Sequence, residues 1–197
     1  LSDHLPTITA DSNIEFLALQ DNALQGYIPD SINMLSTLYH LDLSNNQFTG
    51  PIPLALSELS DLEYLFLAFN PFEEGIIPHY LGNLLNLRDL SLQKTHRKGH
   101  IPPILGNLQN LAMLDLGDNE LTGEIPGALG SCENLHFLIL YRNYLSGAVP
   151  TEFLQLDKFQ ARSLAVELML FAEGRELEEF EADWTDDEEP AGFEVAN

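Results

Sequence analysis

The chain has 197 residues, 45% of them hydrophobic, which is ample for one folded domain. Its formal net charge of −23 argues against nucleic acid and anionic membrane as partners and in favour of basic ones. No apolar run is long enough for a transmembrane helix, so no membrane insertion is expected in this segment, and the single cysteine, Cys132, rules out an intramolecular disulfide.

The chain begins at Leu1 rather than methionine and shows no signal peptide, so a fragment or a processed chain is expected. Residues 1–15 read as a partial copy of a repeated unit, with Leu5-Pro6 and Ile8 as its tail, closing the N-terminal end. From Phe16 the full unit of 24 residues recurs, clearest between Met113 and His136, and six copies cover residues 16–159. An asparagine returns as Asn22, Asn46, Asn70, Asn119 and Asn143, with Thr95 in its place in the fourth copy. A glycine returns as Gly26, Gly50, Gly75, Gly99, Gly123 and Gly147, in steps of 24, 25, 24, 24 and 24 residues. The extra residue falls near Glu73-Glu74. Two residues after each glycine stands an apolar-proline pair, from Ile28-Pro29 to Val149-Pro150.

Each part of the unit has a physical reading. In Leu41-Asp42-Leu43 the side-chain period is two, so the leucines face one way and His40, Asp42 and Ser44 the other. One turn cannot cover its own leucines, so copies must stack. The asparagine can hydrogen-bond backbone groups that a sharp turn leaves unpaired. Proline suits a side where no ladder needs its N–H. Cys132 occupies a leucine column, with Leu108 and Leu156 before and after it, and is expected to be a small buried core residue.

The fourth copy departs from type. Besides Thr95, it places Arg97 where the others have Leu24, Phe48, Phe72, Leu121 and Leu145. Arg88, Lys94, Arg97 and Lys98 make up four of the chain's eight Lys and Arg residues. They read either as a solvated loop or as a basic patch, a site for an anion, an acidic peptide or the chain's own acidic tail. After Phe159 the period fails. Residues 160–173 carry Leu164, Ala165, Leu168 and Phe171 at helical spacing, a C-terminal capping helix, with a seventh strand around Leu164–Val166 as the alternative. Residues 174–197 form an acidic tail, expected to be disordered, with Phe180, Trp184 and Phe193 spaced through it.

The outward strand positions form columns. The first runs Phe16, His40, Tyr64, Asp89, Met113, Phe137; the second Ala18, Asp42, Phe66, Ser91, Asp115, Ile139; the third Gln20, Ser44, Ala68, Gln93, Gly117, Tyr141. A face that met only water would be mostly polar, so aromatic clusters here point to binding. The candidate ligand-binding residues are Tyr64, Phe66, Phe137, Ile139 and Tyr141. His40, Asp42, Ser91, Asp115 and Arg142 add polar specificity. The opposing reading is that the aromatics stabilise neighbouring coils by packing along the sheet. No catalytic constellation stands out, and His96 and His100 flank Gly99 in a turn with no third ligand near in sequence. No phosphate-cradling glycine loop occurs, so no cofactor, no metal and no enzymatic activity are expected.

These columns resemble the plant-type leucine-rich repeat, whose pattern L-x-x-L-x-L-x-x-N-x-L-x-G-x-I-P-x-x-L-G-x-L recurs through the six copies, with Thr95 and Arg97 as departures in the fourth. The resemblance implies an α/β solenoid, a right-handed leucine-rich-repeat superhelix with a parallel β-sheet on its concave side. It also implies a non-catalytic recognition module for a protein or peptide ligand, a basic one being favoured by the charge, or for a glycan. Two settings remain open. One is a fragment of a receptor-like ectodomain that senses an extracellular peptide or glycan. The other is an intracellular scaffold, which the lone cysteine and the absence of an Asn-x-Ser/Thr sequon favour.

Overall fold

The computed structural model describes residues 3–9 and 13–156. Each copy forms a short strand from its Leu-x-Leu pair, a second short strand near its glycine and a single-turn 3-10 helix after its proline. In chain order these are β1 (Phe16–Ala18), β2 (Gln25–Gly26) and η1 (Asp30–Met34); β3 (His40–Asp42), β4 (Gln47–Phe48) and η2 (Leu54–Glu58); and β5 (Tyr64–Phe66), β6 (Gly75–Ile76) and η3 (His79–Asn83). The later copies supply β7 (Asp89–Ser91), β8 (Arg97–Gly99) and η4 (Pro103–Asn107); β9 (Met113–Asp115), β10 (Glu120–Gly123) and η5 (Gly127–Ser131); and β11 (Phe137–Ile139), β12 (Tyr144–Leu145) and η6 (Thr151–Gln155). The expected capping helix, its seventh-strand alternative and the acidic tail lie outside the described residues.

The first strands of all six copies form one parallel sheet in the order β1-β3-β5-β7-β9-β11. Its register is that of the sequence columns: Phe16 opposite His40, Tyr64 opposite Asp89, Phe137 opposite Met113. Leu41, Leu43, Leu65, Leu67, Leu90, Leu92, Leu114 and Leu116 are fully buried, whereas His40, Asp42 and Ser44 are half-exposed, as a period of two requires. The buried leucines of successive copies touch to give one continuous core. Leu5 and Ile8 pack against its N-terminal end. Cys132 lies in this core with its thiol pushed up to about 11 by burial, so it stays a neutral apolar filler.

The asparagine column is a ladder of buried hydrogen bonds. The Asn70 carboxamide accepts the Phe48 N–H at 3.0 Å and donates to the carbonyls of Leu43, Leu67 and Ala68. Asn46, Asn119 and Asn143 make the same kinds of bond in the second, fifth and sixth copies. The residue before each asparagine, or before Thr95 in the fourth copy, takes the left-handed conformation: Asp21, Asn45, Phe69, Lys94, Asp118 and Arg142 have φ of 51 to 57°. That turn lets the carboxamide reach back under the strand it has just left.

The second strands do not form one sheet. β2 pairs with β4, and β6, β8, β10 and β12 form a separate four-stranded sheet. The break falls between β4 and β6, where the single extra residue lies. On the far side the proline of each unit stands just before its 3-10 turn, with φ of −70, −75 and −64° in the first three copies, outside every strand, so no sheet loses a backbone donor.

Candidate functional site on the concave sheet

The strand pairing brings three aromatic side chains onto one imidazole at the N-terminal end of the concave face. His40 stacks on Phe16 at 4.0 Å between ring centroids, and Tyr64 and Phe66 lie 5.5 and 5.7 Å from it. Phe16 remains 52% exposed at the edge of this cluster. Burial holds the His40 imidazole below its ordinary pKa, with the carboxylate of Asp42 pulling the other way. The cluster is therefore a neutral aromatic shelf at physiological pH.

The middle of the face is acidic. Burial raises the carboxyl pKa of Asp89, offset in part by the charge of Arg88 and a hydrogen bond from the Met113 N–H. Burial likewise raises Asp115, offset by the Gly117 N–H, 3.0 Å from Oδ1, and the Ser91 hydroxyl, 3.3 Å from Oδ2. Ser91 is itself buried. A half-buried carboxylate without a full charge partner is a seat for a cation from outside.

The C-terminal end is aromatic and polar at once. The Tyr141 ring lies against Gly117, where a Cβ would come within 3.0 Å of Cζ, so glycine in this column is what admits the ring. Gln93 donates to the Tyr141 hydroxyl and, at 3.0 Å, to Asp118 Oδ2. Arg142 reaches Asp118 at 3.1 Å and sits 5.9 Å over the Tyr141 ring. Against a burial penalty, the bonds from Gln93 and Arg142 and the charges of Arg142 and Lys94 hold Asp118 below its ordinary pKa. Phe137 is exposed and Ile139 half-exposed beside this network.

All ten candidate ligand-binding residues thus lie on the concave strands or, for Tyr141 and Arg142, just past the end of β11. They fall into an N-terminal group (His40, Asp42, Tyr64, Phe66), a middle pair in the acidic band (Ser91, Asp115) and a C-terminal group (Phe137, Ile139, Tyr141, Arg142). Phe16, Asp89, Gln93 and Asp118 belong to the same surface but are absent from the candidate set. Phe16 and Asp89 were visible in the first column. Gln93 was visible in the third, and only Asp118 enters through side-chain contacts that strand periodicity does not encode.

The four basic residues Arg88, Lys94, Arg97 and Lys98 each have their own partners. Arg88 pairs with Glu63 at 3.0 Å, Lys98 pairs with Glu74, and Lys94 lies 5.6 Å over the Phe69 ring. Arg97 is buried, with 3% of its surface exposed, so it is no part of a solvated loop. Among the described residues no group of three His, Cys, Asp or Glu side chains converges as metal ligands. None of their helices is long and apolar enough to cross a membrane.

Comparison with known proteins places this architecture. Models of the family described as Leucine rich repeat match residues 12–72, 61–84 and 110–132. The ectodomain of the receptor kinase SOBIR1 from Arabidopsis thaliana is 36% identical, with 68% of this chain and 73% of that one covered and a TM-score of 0.62. The plant peptide hormone receptor RGFR1, in complex with RGF2, is 33% identical with a TM-score of 0.76, covering 81% of this chain and 26% of that one. The ectodomain of the Arabidopsis receptor kinase HAESA, in complex with an IDA peptide hormone, gives 32% identity, 81% and 27% coverage and a TM-score of 0.76. The chain spans about a quarter of the length of these last two structures. No curated protein matches.

These relatives overturn the expectation of an intracellular setting. SOBIR1 and HAESA are receptor kinases matched through their ectodomains and RGFR1 is a peptide hormone receptor, and they point to an extracellular location instead. The physical reason is that stacked leucines and the asparagine ladder hold internal copies together without cross-links. Such copies need no disulfide to hold together, so a lone buried cysteine carries little information about redox surroundings. Six copies in register, an unbroken concave sheet, a buried asparagine ladder and a SOBIR1 ectodomain of which it covers nearly three-quarters show that this chain belongs to the plant-type leucine-rich repeat family.

Proposed function

We propose that the chain is a non-catalytic recognition module of a receptor-like ectodomain, and that its concave face binds an extended peptide with a cationic residue near its middle and apolar residues on either side. The observation that carries this reading is the order of the surface: an aromatic shelf at Phe16, His40, Tyr64 and Phe66, half-buried carboxylates at Asp89 and Asp115, then Phe137, Ile139 and Tyr141. Neighbouring strands lie about 4.8 Å apart, so β1 to β11 spans roughly 24 Å, the reach of about seven extended residues. Peptide hormones bound to two of the relatives support a peptide over a glycan. The rigid sheet limits the ordering cost of binding to the ligand.

A displayed library of random heptapeptides tests this. The wild-type chain is expected to enrich sequences with a central Lys or Arg flanked by apolar residues. Asp89→Asn with Asp115→Asn should erase the preference for the central cation. Alanine at Tyr64, Phe66, Phe137 and Tyr141 should weaken selected peptides at least tenfold, about 1.4 kcal/mol or more, with little change in melting temperature. If the aromatics instead hold neighbouring coils together, the alanine variant will melt lower while binding is unchanged, and the reading fails.

A further inference from the structure

The flank of the solenoid carries a second feature, independent of the concave face. An open pocket of about 450 Å³ is lined by Pro51, Ile52, Ile76, Pro78, the Tyr80 ring and Arg97, with Glu73, Glu74, Gly75 and His79 around it. None of these residues belongs to a concave strand. The pocket forms where the copies are least regular. The extra residue of the third copy lies at its rim, and Arg97 of the fourth takes a column that is Leu or Phe in every other copy.

Arg97 is almost fully buried, yet among the described residues no carboxylate lies within ion-pair distance of it. Its Nε donates to the Thr95 carbonyl at 2.9 Å, Nη1 to Ile76 at 3.4 Å and Nη2 to Glu73. Each Nη therefore keeps a second hydrogen that these carbonyls do not use. Carbonyl oxygens accept hydrogen bonds but bring no counter-charge, and a buried cation without one is costly. Burial pulls the guanidinium down from its ordinary pKa, while Tyr80 and Glu73 act in the other direction. Tyr80 does not supply the charge, because burial pushes its phenol up to about 12 and its hydroxyl donates to the Ile52 carbonyl. Lys98 holds Glu74, and Glu73 is exposed at the rim.

We propose that this pocket binds a small carboxylate with a short aliphatic body, its carboxylate paired with the guanidinium of Arg97 and its carbons against Ile52, Ile76, Pro51 and Pro78. A planar carboxylate matches two guanidinium hydrogens side by side, which a rounder anion does not. The volume falls in the range of small-ligand sites, and the apolar walls surround the Arg97 cation, with the carboxylates of Glu73 and of Glu74, the latter paired with Lys98, at the rim.

Isovalerate is the probe, titrated while the methyl signals of Ile52 and Ile76 are followed by NMR. The expected result is a saturable shift with a dissociation constant on the order of 1–10 mM, as suits so few atoms. Isovaleramide, of the same shape without charge, should bind at least tenfold more weakly. Arg97→Leu restores the residue of the other copies and should fold with an equal or higher melting temperature, and it should lose isovalerate binding. Glu73→Gln should leave the melting temperature unchanged and bind isovalerate no less well, since it removes a repelling charge from the rim. No saturable shift in the wild-type chain, or binding retained in Arg97→Leu, overturns the proposal. So does a Glu73→Gln chain of lower melting temperature alongside a wild type that ignores isovalerate, because Glu73 is then the missing counter-ion.

Discussion

The concave sheet and the flank meet the same defect and respond differently. An extra residue enters the third copy between Asn70 and Gly75, and the six concave strands continue past it in unbroken register. The flank strands separate there into a pair and a group of four. The concave strand is clamped on both sides, by leucines fully buried at its core face and by an asparagine that ties its end to the preceding copy. The insertion falls after that clamp, so the flank absorbs it. A display surface built this way is insulated from changes in the loops behind it.

The sharpest way to break the contrast is to attack the clamp. Leu65→Ala, at a fully buried position in the middle of the concave sheet, should cost about 2–5 kcal/mol through lost contacts and the cavity left behind. Asn70→Ala should cost about 2–4 kcal/mol, because it orphans the buried Phe48 N–H and the carbonyls of Leu43, Leu67 and Ala68 together. Urea unfolding of each purified variant measures both. A loss below about 1 kcal/mol for either would mean that the flank, and not the clamp, holds the copies in register.

The fourth copy offers a gentler test in the opposite direction. Thr95 keeps one bond of the ladder, from its hydroxyl to the Leu92 carbonyl at 2.6 Å. A hydroxyl has one hydrogen where a carboxamide has two and a carbonyl besides. Thr95→Asn should therefore rebuild the rung and stabilise the chain by about 1 kcal/mol, read from the same unfolding curves. A destabilised variant would show that the irregular flank beside Arg97 no longer has room for the carboxamide.

Most of this architecture was legible in the chain itself. The columns of leucine, asparagine, glycine and proline repeat because each copy solves the same burial problem, and repetition makes a weak local signal strong. The strand register, the buried Cys132 and the outward aromatic columns follow from that one pattern. Side-chain reach is the part that escaped it. Arg97 reads as one of a run of surface cations, yet the column it occupies points inward, and position outweighed charge. The left-handed residue before each asparagine escaped as well, since Asp21, Asn45, Phe69, Lys94, Asp118 and Arg142 share a backbone conformation and no chemistry. Asp118 joins the candidate surface only through its bonds with Gln93 and Arg142, which no spacing rule reaches.

The smallest expected effect lies on the concave face and concerns His40. Its imidazole stacks on Phe16 and lies between Tyr64 and Phe66, and burial outweighs the nearby Asp42 carboxylate in lowering its pKa. In the unfolded chain the group returns to its ordinary value of about 6.5. Above that pH both states hold it neutral and nothing changes. As pH falls below it, the unfolded chain takes up the proton first, so stability is lost between about 6.5 and the lower folded value. His40→Gln removes the titration and leaves every other group in place. The difference in unfolding free energy between wild type and variant, measured at successive pH values from 7.5 to 5, should therefore drift against the wild type as the pH drops. A flat difference would mean that Asp42 and solvent keep the charged imidazole as comfortable in the fold as outside it, and the aromatic shelf would then carry a positive charge into any ligand it meets at mildly acidic pH.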